Sequence, residues 1–188
     1  MSSPSKSAAT VFYWPSERAG GRGVGHVSVM LSDGTYVSHV PEKGGYKENR
    51  NTRTDIPGLE GRSIIVQRCS STRNRQFSDD QALFGNSPQS LVLPSVFVEL
   101  FMSQFAAGRM LASSPGSPPL HGPLPYYQLA DTVKDGDPDR SQCTTTSARM
   151  IAAGLPLKYQ DIAKRLLAEF QPDSFWKTLN QVCSSLGA

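Results

Sequence analysis

Residues 25–41, GHVSVMLSDGTYVSHVP, constrain the fold more than any other part of the chain. Two runs rich in β-branched residues flank Asp33-Gly34, a dipeptide that favours positive φ and a tight reversal. The segment predicts a β-hairpin. With a two-residue turn, Ser32 opposes Thr35, Ser28 opposes His39 and His26 opposes Pro41. Side chains alternate along a strand, so His26, Ser28, Val37 and His39 then share one face. Val27, Val29, Leu31, Tyr36 and Ser38 share the other. The two histidines become diagonal neighbours, roughly 7–8 Å apart at Cβ. At that spacing one imidazole can take a proton while the other fixes its tautomer. The competing reading is a pair of half-buried sheet histidines with no chemistry. A register slip of one residue would bring Ser38, and not His39, beside His26.

The second informative segment is DPDRSQCTTTSARMIAAGLP, residues 137–156. Ser141 or Asp139 can cap a helix that begins at Cys143, and Gly154 and Pro156 end it after Ala153. A cysteine in the first turn lies among unpaired N–H groups at the positive end of the helix dipole, which favours its thiolate. The thiolate is the attacking species in nucleophilic catalysis, and the same N–H groups can stabilise an oxyanion. An inert cysteine near a helix start is the alternative. Cys69 follows an expected strand and Cys183 lies inside an expected C-terminal helix, so both read as structural. Three widely spaced cysteines form neither a disulfide framework nor a zinc pattern.

Elsewhere the pattern is mixed. Residues 1–10 are small and polar and read as a disordered N-terminal arm, leaving 11–188 as one domain. Val11–Trp14 and Ser63–Arg68 read as further strands, with a short helix near Asp79–Phe84 and a short apolar element at Tyr126–Leu129. The most apolar stretch, Leu91–Leu111, contains Pro94, Glu99, Gln104 and Arg109, which predicts a buried helix over Val96–Leu111 and not a membrane span. Tyr159–Phe170 and Ser174–Leu186 read as two amphipathic helices. The stretch SSPGSPPLHGPLP, residues 113–125, is too rich in proline for regular structure. A net charge of +3 with scattered basic residues gives no footprint for nucleic acid. The hydrophobic fraction of 38% and mean hydropathy of −0.35 fit a soluble chain. No charged segment followed by an apolar run opens the sequence, so the expectation is synthesis in the cytoplasm with any export by a dedicated secretion system.

The order of these pieces resembles the circularly permuted NlpC-type papain-like cysteine peptidases and the related lecithin:retinol acyltransferase-like group. Gly25-His26-Val27-Ser28 and Gly34-Thr35-Tyr36-Val37-Ser38-His39 match the histidine strand and its neighbour. Gln142-Cys143-Thr144-Thr145 resembles the Asn-Cys-Ser/Thr helix start, with Gln142 in place of the usual Asn. Tyr127-Gln128-Leu129 is similar to the short Tyr-x-Leu strand ahead of the cysteine. The likeness covers about residues 24–41 and 126–156, roughly a quarter of the chain, and leaves the stretch between the third strand and Tyr126 without a counterpart.

The resemblance implies an α+β fold with a small antiparallel sheet, the nucleophile helix packed on one face, and extra C-terminal helices. It implies Cys143 as nucleophile, His26 as general base and His39 as orienting group, with no cofactor. Substrates in such a group include peptidoglycan stem-peptide amides, lipid esters and isopeptide bonds. A peptidoglycan amidase or endopeptidase acting as an antibacterial secretion-system effector fits best by analogy, with a cognate immunity protein or chaperone as partner and no stable membrane insertion. An acyltransferase or host-directed thiol protease with the same triad stays open. So does a non-catalytic α+β binding module. A metal hydrolase built on His26, His39 and His121 is the weakest alternative, because His121 lies in the proline-rich loop without a nearby partner.

Overall fold

Alternating valines and aromatics give the sheet two different faces, and the helices sort themselves accordingly. The structure is a computed structural model that describes residues 9–16, 25–39, 66–68, 75–113, 126–127 and 140–187. In chain order the elements are β1 (Thr10–Trp14), β2 (His26–Met30), β3 (Thr35–Ser38), β4 (Val66–Arg68), α1 (Arg75–Phe84), β5 (Gln89–Val92), α2 (Glu99–Ser113), β6 (Tyr126–Tyr127), β7 (Arg140–Ser141) and α3 (Cys143–Ala153). A 3₁₀ turn at Leu157–Tyr159, α4 (Gln160–Leu167) and α5 (Pro172–Gly187) follow. The main sheet is antiparallel in the order β4-β3-β2-β1-β5, and β6 and β7 form a separate parallel pair. The chain is an α+β protein.

Val11, Tyr13, Val27, Val29 and Val37 point to one side of the sheet. There they meet Met102 and Ala106 of α2, Ala148, Met150 and Ile151 of α3, Leu166 of α4, and Phe175, Leu179 and Val182 of α5. Each large side chain buried in this way contributes about 1.5–3 kcal/mol, so this face anchors four of the five described α-helices. The other face carries Phe12, Trp14, His26, Ser28, Tyr36 and Ser38. Only α1 covers it among the described helices, through Phe77, Asp80 and Phe84. The sequence expectation of helix on one face therefore holds for α3, while α1 adds a second layer.

The hairpin differs from the expected register. Leu31 N donates to Thr35 O at 2.8 Å and Gly34 N to Leu31 O at 3.0 Å, which makes Ser32-Asp33-Gly34 a three-residue loop. Gly34 takes φ 82°, the left-handed conformation that such a loop needs at its last position. The odd count moves the pairing by one residue: Ser28 faces Ser38, Val29 faces Val37 and Met30 faces Tyr36. Tyr36 and Ser38 consequently join His26 and Ser28 on one face, and Val37 moves to the other. The sequence-based assignment of His39 to the His26 face is corrected by this shift.

Three further expectations change. The apolar run 91–111 is split: Leu91 and Val92 pair with β1, and helix α2 starts at Glu99, with Leu100 and Phe101 exposed. Pro94 lies ahead of the helix, its carbonyl accepting from Phe97 N at 3.0 Å. Two residues assigned to the N-terminal arm belong to the fold: Ala9 is buried, its carbonyl accepts from Leu93 N at 2.8 Å, and Thr10 opens β1, while residues 1–8 lie outside the described residues. The helix expected over Tyr159–Phe170 is a 3₁₀ turn followed by α4, which ends at Leu167. No helix among the described residues is long and apolar enough to cross a membrane.

Candidate active site

Cys143 is the first residue of α3, and Gln142 caps it in place of the expected Ser141 or Asp139. Gln142 Oε1 accepts from Thr144 N at 3.5 Å, and Gln142 N donates to Thr145 Oγ1 at 2.8 Å, a reciprocal capping box. Gln142 Nε2 also donates to the Phe170 carbonyl between α4 and α5. Ser147 Oγ donates to Val27 O at 3.4 Å, which ties α3 to β2. These contacts bring the first residue of α3 against the first residues of β2.

His26 opens β2. Gly25 before it has no room for a side chain: a Cβ there would stand 2.8 Å from Trp14 O and 3.0 Å from Pro172 Cβ. The imidazole is stacked on Phe84, with centroids 4.3 Å apart and planes at 6°, and Trp14 lies at 5.4 Å. Its Nε2 lies 3.1 Å from Asp80 Oδ2 and 3.0 Å from Ser38 Oγ. The thiol of Cys143 lies 3.5 Å from Gln142 Oε1 and feels the His26 ring strongly enough for its pKa to fall. Cys143, His26 and Asp80 are 2%, 1% and 0% exposed, so their mutual electrostatics act with little screening by water.

The protonation states follow from this arrangement. Burial alone would lower the pKa of His26, but the Asp80 carboxylate and then Cys143 outweigh it and raise the imidazole from its ordinary 6.5 to about 10. Burial would raise the Cys143 thiol, but the hydrogen bond and charge of His26, the Val27 N–H and the Thr144 hydroxyl bring it below its ordinary 9.0. Burial would likewise raise Asp80, yet His26, Ser38 and Tyr36 hold it below 3.8. The combination favours a thiolate–imidazolium pair backed by a carboxylate. By contrast, burial pushes the Cys183 thiol up to about 11, which makes it a poor nucleophile.

Of the sequence-derived candidates, the structure brings Cys143 and His26 together and leaves His39 apart. His39 Nδ1 lies 2.7 Å from Thr146 Oγ1 of α3, on the opposite side of the sheet from Asp80. The partner of His26 is Asp80, which sequence reasoning missed. A signal was present: Phe77, Asp80 and Phe84 are spaced i, i+3, i+7, so an acid lies inside an aromatic helical stripe. Cys69 and His121 lie outside the described residues. Among the described residues, no group of three or more His, Cys, Asp or Glu side chains is arranged to hold a metal ion.

Compared with known protein families, curated proteins and solved structures, the chain matches none.

Proposed function

We propose that the protein is a cysteine hydrolase of permuted papain-like architecture that cleaves an amide bond through an acyl-enzyme. The observation that carries this reading is the buried line from Cys143 through His26 to Asp80, with the thiol at a helix start. The thiolate of Cys143 attacks the substrate carbonyl, forming the C–S bond while the carbonyl electron pair moves onto oxygen. The amide dipoles at the start of α3 favour that negative charge. As the oxyanion collapses, the C–N bond breaks and His26 gives its proton to the departing amine. Acylation removes the thiolate charge that helps to raise His26, which eases this transfer. The neutral imidazole then takes a proton from water, whose hydroxide attacks the thioester; collapse of this second oxyanion breaks the C–S bond, releasing the acid and leaving the Cys143 thiolate beside protonated His26, the resting pair. Asp80 keeps the ring oriented throughout; in this reading it replaces His39 as the orienting group.

The substrate we favour is a peptidoglycan stem-peptide amide, and the biological setting an antibacterial effector exported to a target cell. Both rest on the sequence resemblance. Incubation with peptidoglycan fragments, followed by mass spectrometry, is expected to give hydrolysed products with wild type and none with Cys143→Ala. Cleavage that persists in Cys143→Ala contradicts the thiol mechanism. Absence of cleavage by either protein contradicts the peptidoglycan assignment.

A further inference from the structure

We infer that Tyr36 is a positioning residue for the catalytic pair, acting through Asp80, and that Ser28 fixes its direction; this rests on the reading of Cys143 and His26 as a working pair. One carboxylate oxygen, Asp80 Oδ2, receives both Tyr36 OH at 2.7 Å and His26 Nε2 at 3.1 Å. The other neighbour of the phenol is Ser28 Oγ at 2.5 Å. A phenol has one proton to give. Since ionised Asp80 can only accept, Tyr36 donates to it and Ser28 donates to Tyr36. The chain of donors thus runs Ser28 to Tyr36 to Asp80, and all three side chains are buried.

The same tyrosine also fixes where the helix carrying Asp80 rests. Its ring meets Phe77 of α1 edge-on at 5.7 Å and lies 6.5 Å from Phe12 of β1. Phe77 is one turn before Asp80, so ring contact and phenol bond hold the same stretch of α1 against the sheet. The groups that face Asp80 include His26 from β2 and Tyr36 and Ser38 from β3, and His26 in turn faces Cys143 of α3. A buried carboxylate is ionised only while donors replace the water it has lost. Without the phenol, Asp80 binds a proton more readily. The carboxylate is also less firmly held against His26, so the imidazolium is less favoured and the thiolate forms only at higher pH.

The test follows the ultraviolet absorbance of the Cys143 thiolate against pH, with a Cys143→Ala blank in each background. It needs neither a substrate nor access of a reagent to the thiol. Tyr36→Phe keeps the ring contacts and removes only the hydroxyl. It is expected to raise the midpoint of thiolate formation by roughly one pH unit, and Ser28→Ala by less in the same direction. Circular dichroism checks that the variants fold; if Tyr36→Phe does not, Ser28→Ala decides. A midpoint that stays in place or falls, while wild type titrates below 9.0, overturns the role of Tyr36. A wild-type midpoint at or above 9.0 instead overturns the reading of the pair itself.

Discussion

Asp80→Asn is expected to lower turnover by about 10²–10⁴-fold while the protein stays folded. The substitution keeps the shape of the side chain and removes the charge that raises His26 to about 10. The imidazolium then forms less readily, the thiolate loses its partner, and the ring is less firmly oriented. Stability should change with pH in a defined way. His26 has a raised pKa, so its contribution is full below 6.5 and is lost as pH rises through about 10. Asp80 has a lowered pKa, so its contribution is full above 3.8 and is lost as pH falls through its lower folded value. The gap in melting temperature between wild type and Asp80→Asn is therefore expected to be widest between 3.8 and 6.5 and to shrink toward both extremes. A gap that does not shrink as pH falls below 3.8 or rises toward about 10 would contradict a charged pair.

His26→Ala and His39→Ala are expected to separate cleanly. Loss of His26 removes the proton carrier and the charge that favours the thiolate, lowering turnover by about 10²–10⁴-fold or more. His39 contacts Thr146 on the opposite side of the sheet from Asp80. Its replacement strips a hydrogen-bond partner from a buried hydroxyl and is expected to cost about 1–3 kcal/mol of stability with turnover changed less than about tenfold. Turnover and thermal unfolding of both variants check this. An equal loss of turnover in His39→Ala at unchanged stability would restore His39 to the catalytic set.

The reach of the sequence is clearest at two residues. Cys143 and the helix it opens were legible because capping and termination are local: a polar residue before the thiol and Gly154-Leu155-Pro156 after the helix define both ends. The choice of cap was not, since Gln142 is an uncommon capping residue and its amide is also committed to Phe170, a distant contact. The hairpin was legible for the same local reason. Its register was not, because Asp33-Gly34 serves a two-residue or a three-residue loop equally well, and one residue of difference exchanges His39 for Ser38. Asp80 was hardest to see. Its burial depends on α1 folding over the sheet, a tertiary event that a window of polar residues around Asp79-Asp80 does not report. The split of residues 91–111 has a similar origin, since pairing with β1 claims Leu91 and Val92 ahead of any helical preference.

The central claim is that Cys143 is a thiolate held by His26, and the ionisation of that thiol tests it most directly. Titration of thiolate absorbance, wild type minus Cys143→Ala, is expected to show a midpoint below 9.0 that rises in His26→Ala, because burial is then opposed only by the Val27 N–H and the Thr144 hydroxyl. Cys183, with its thiol near 11, marks the behaviour of a buried cysteine without such a partner. A Cys143 midpoint at or above 9.0 in the wild-type protein, unmoved by His26→Ala, would contradict the account.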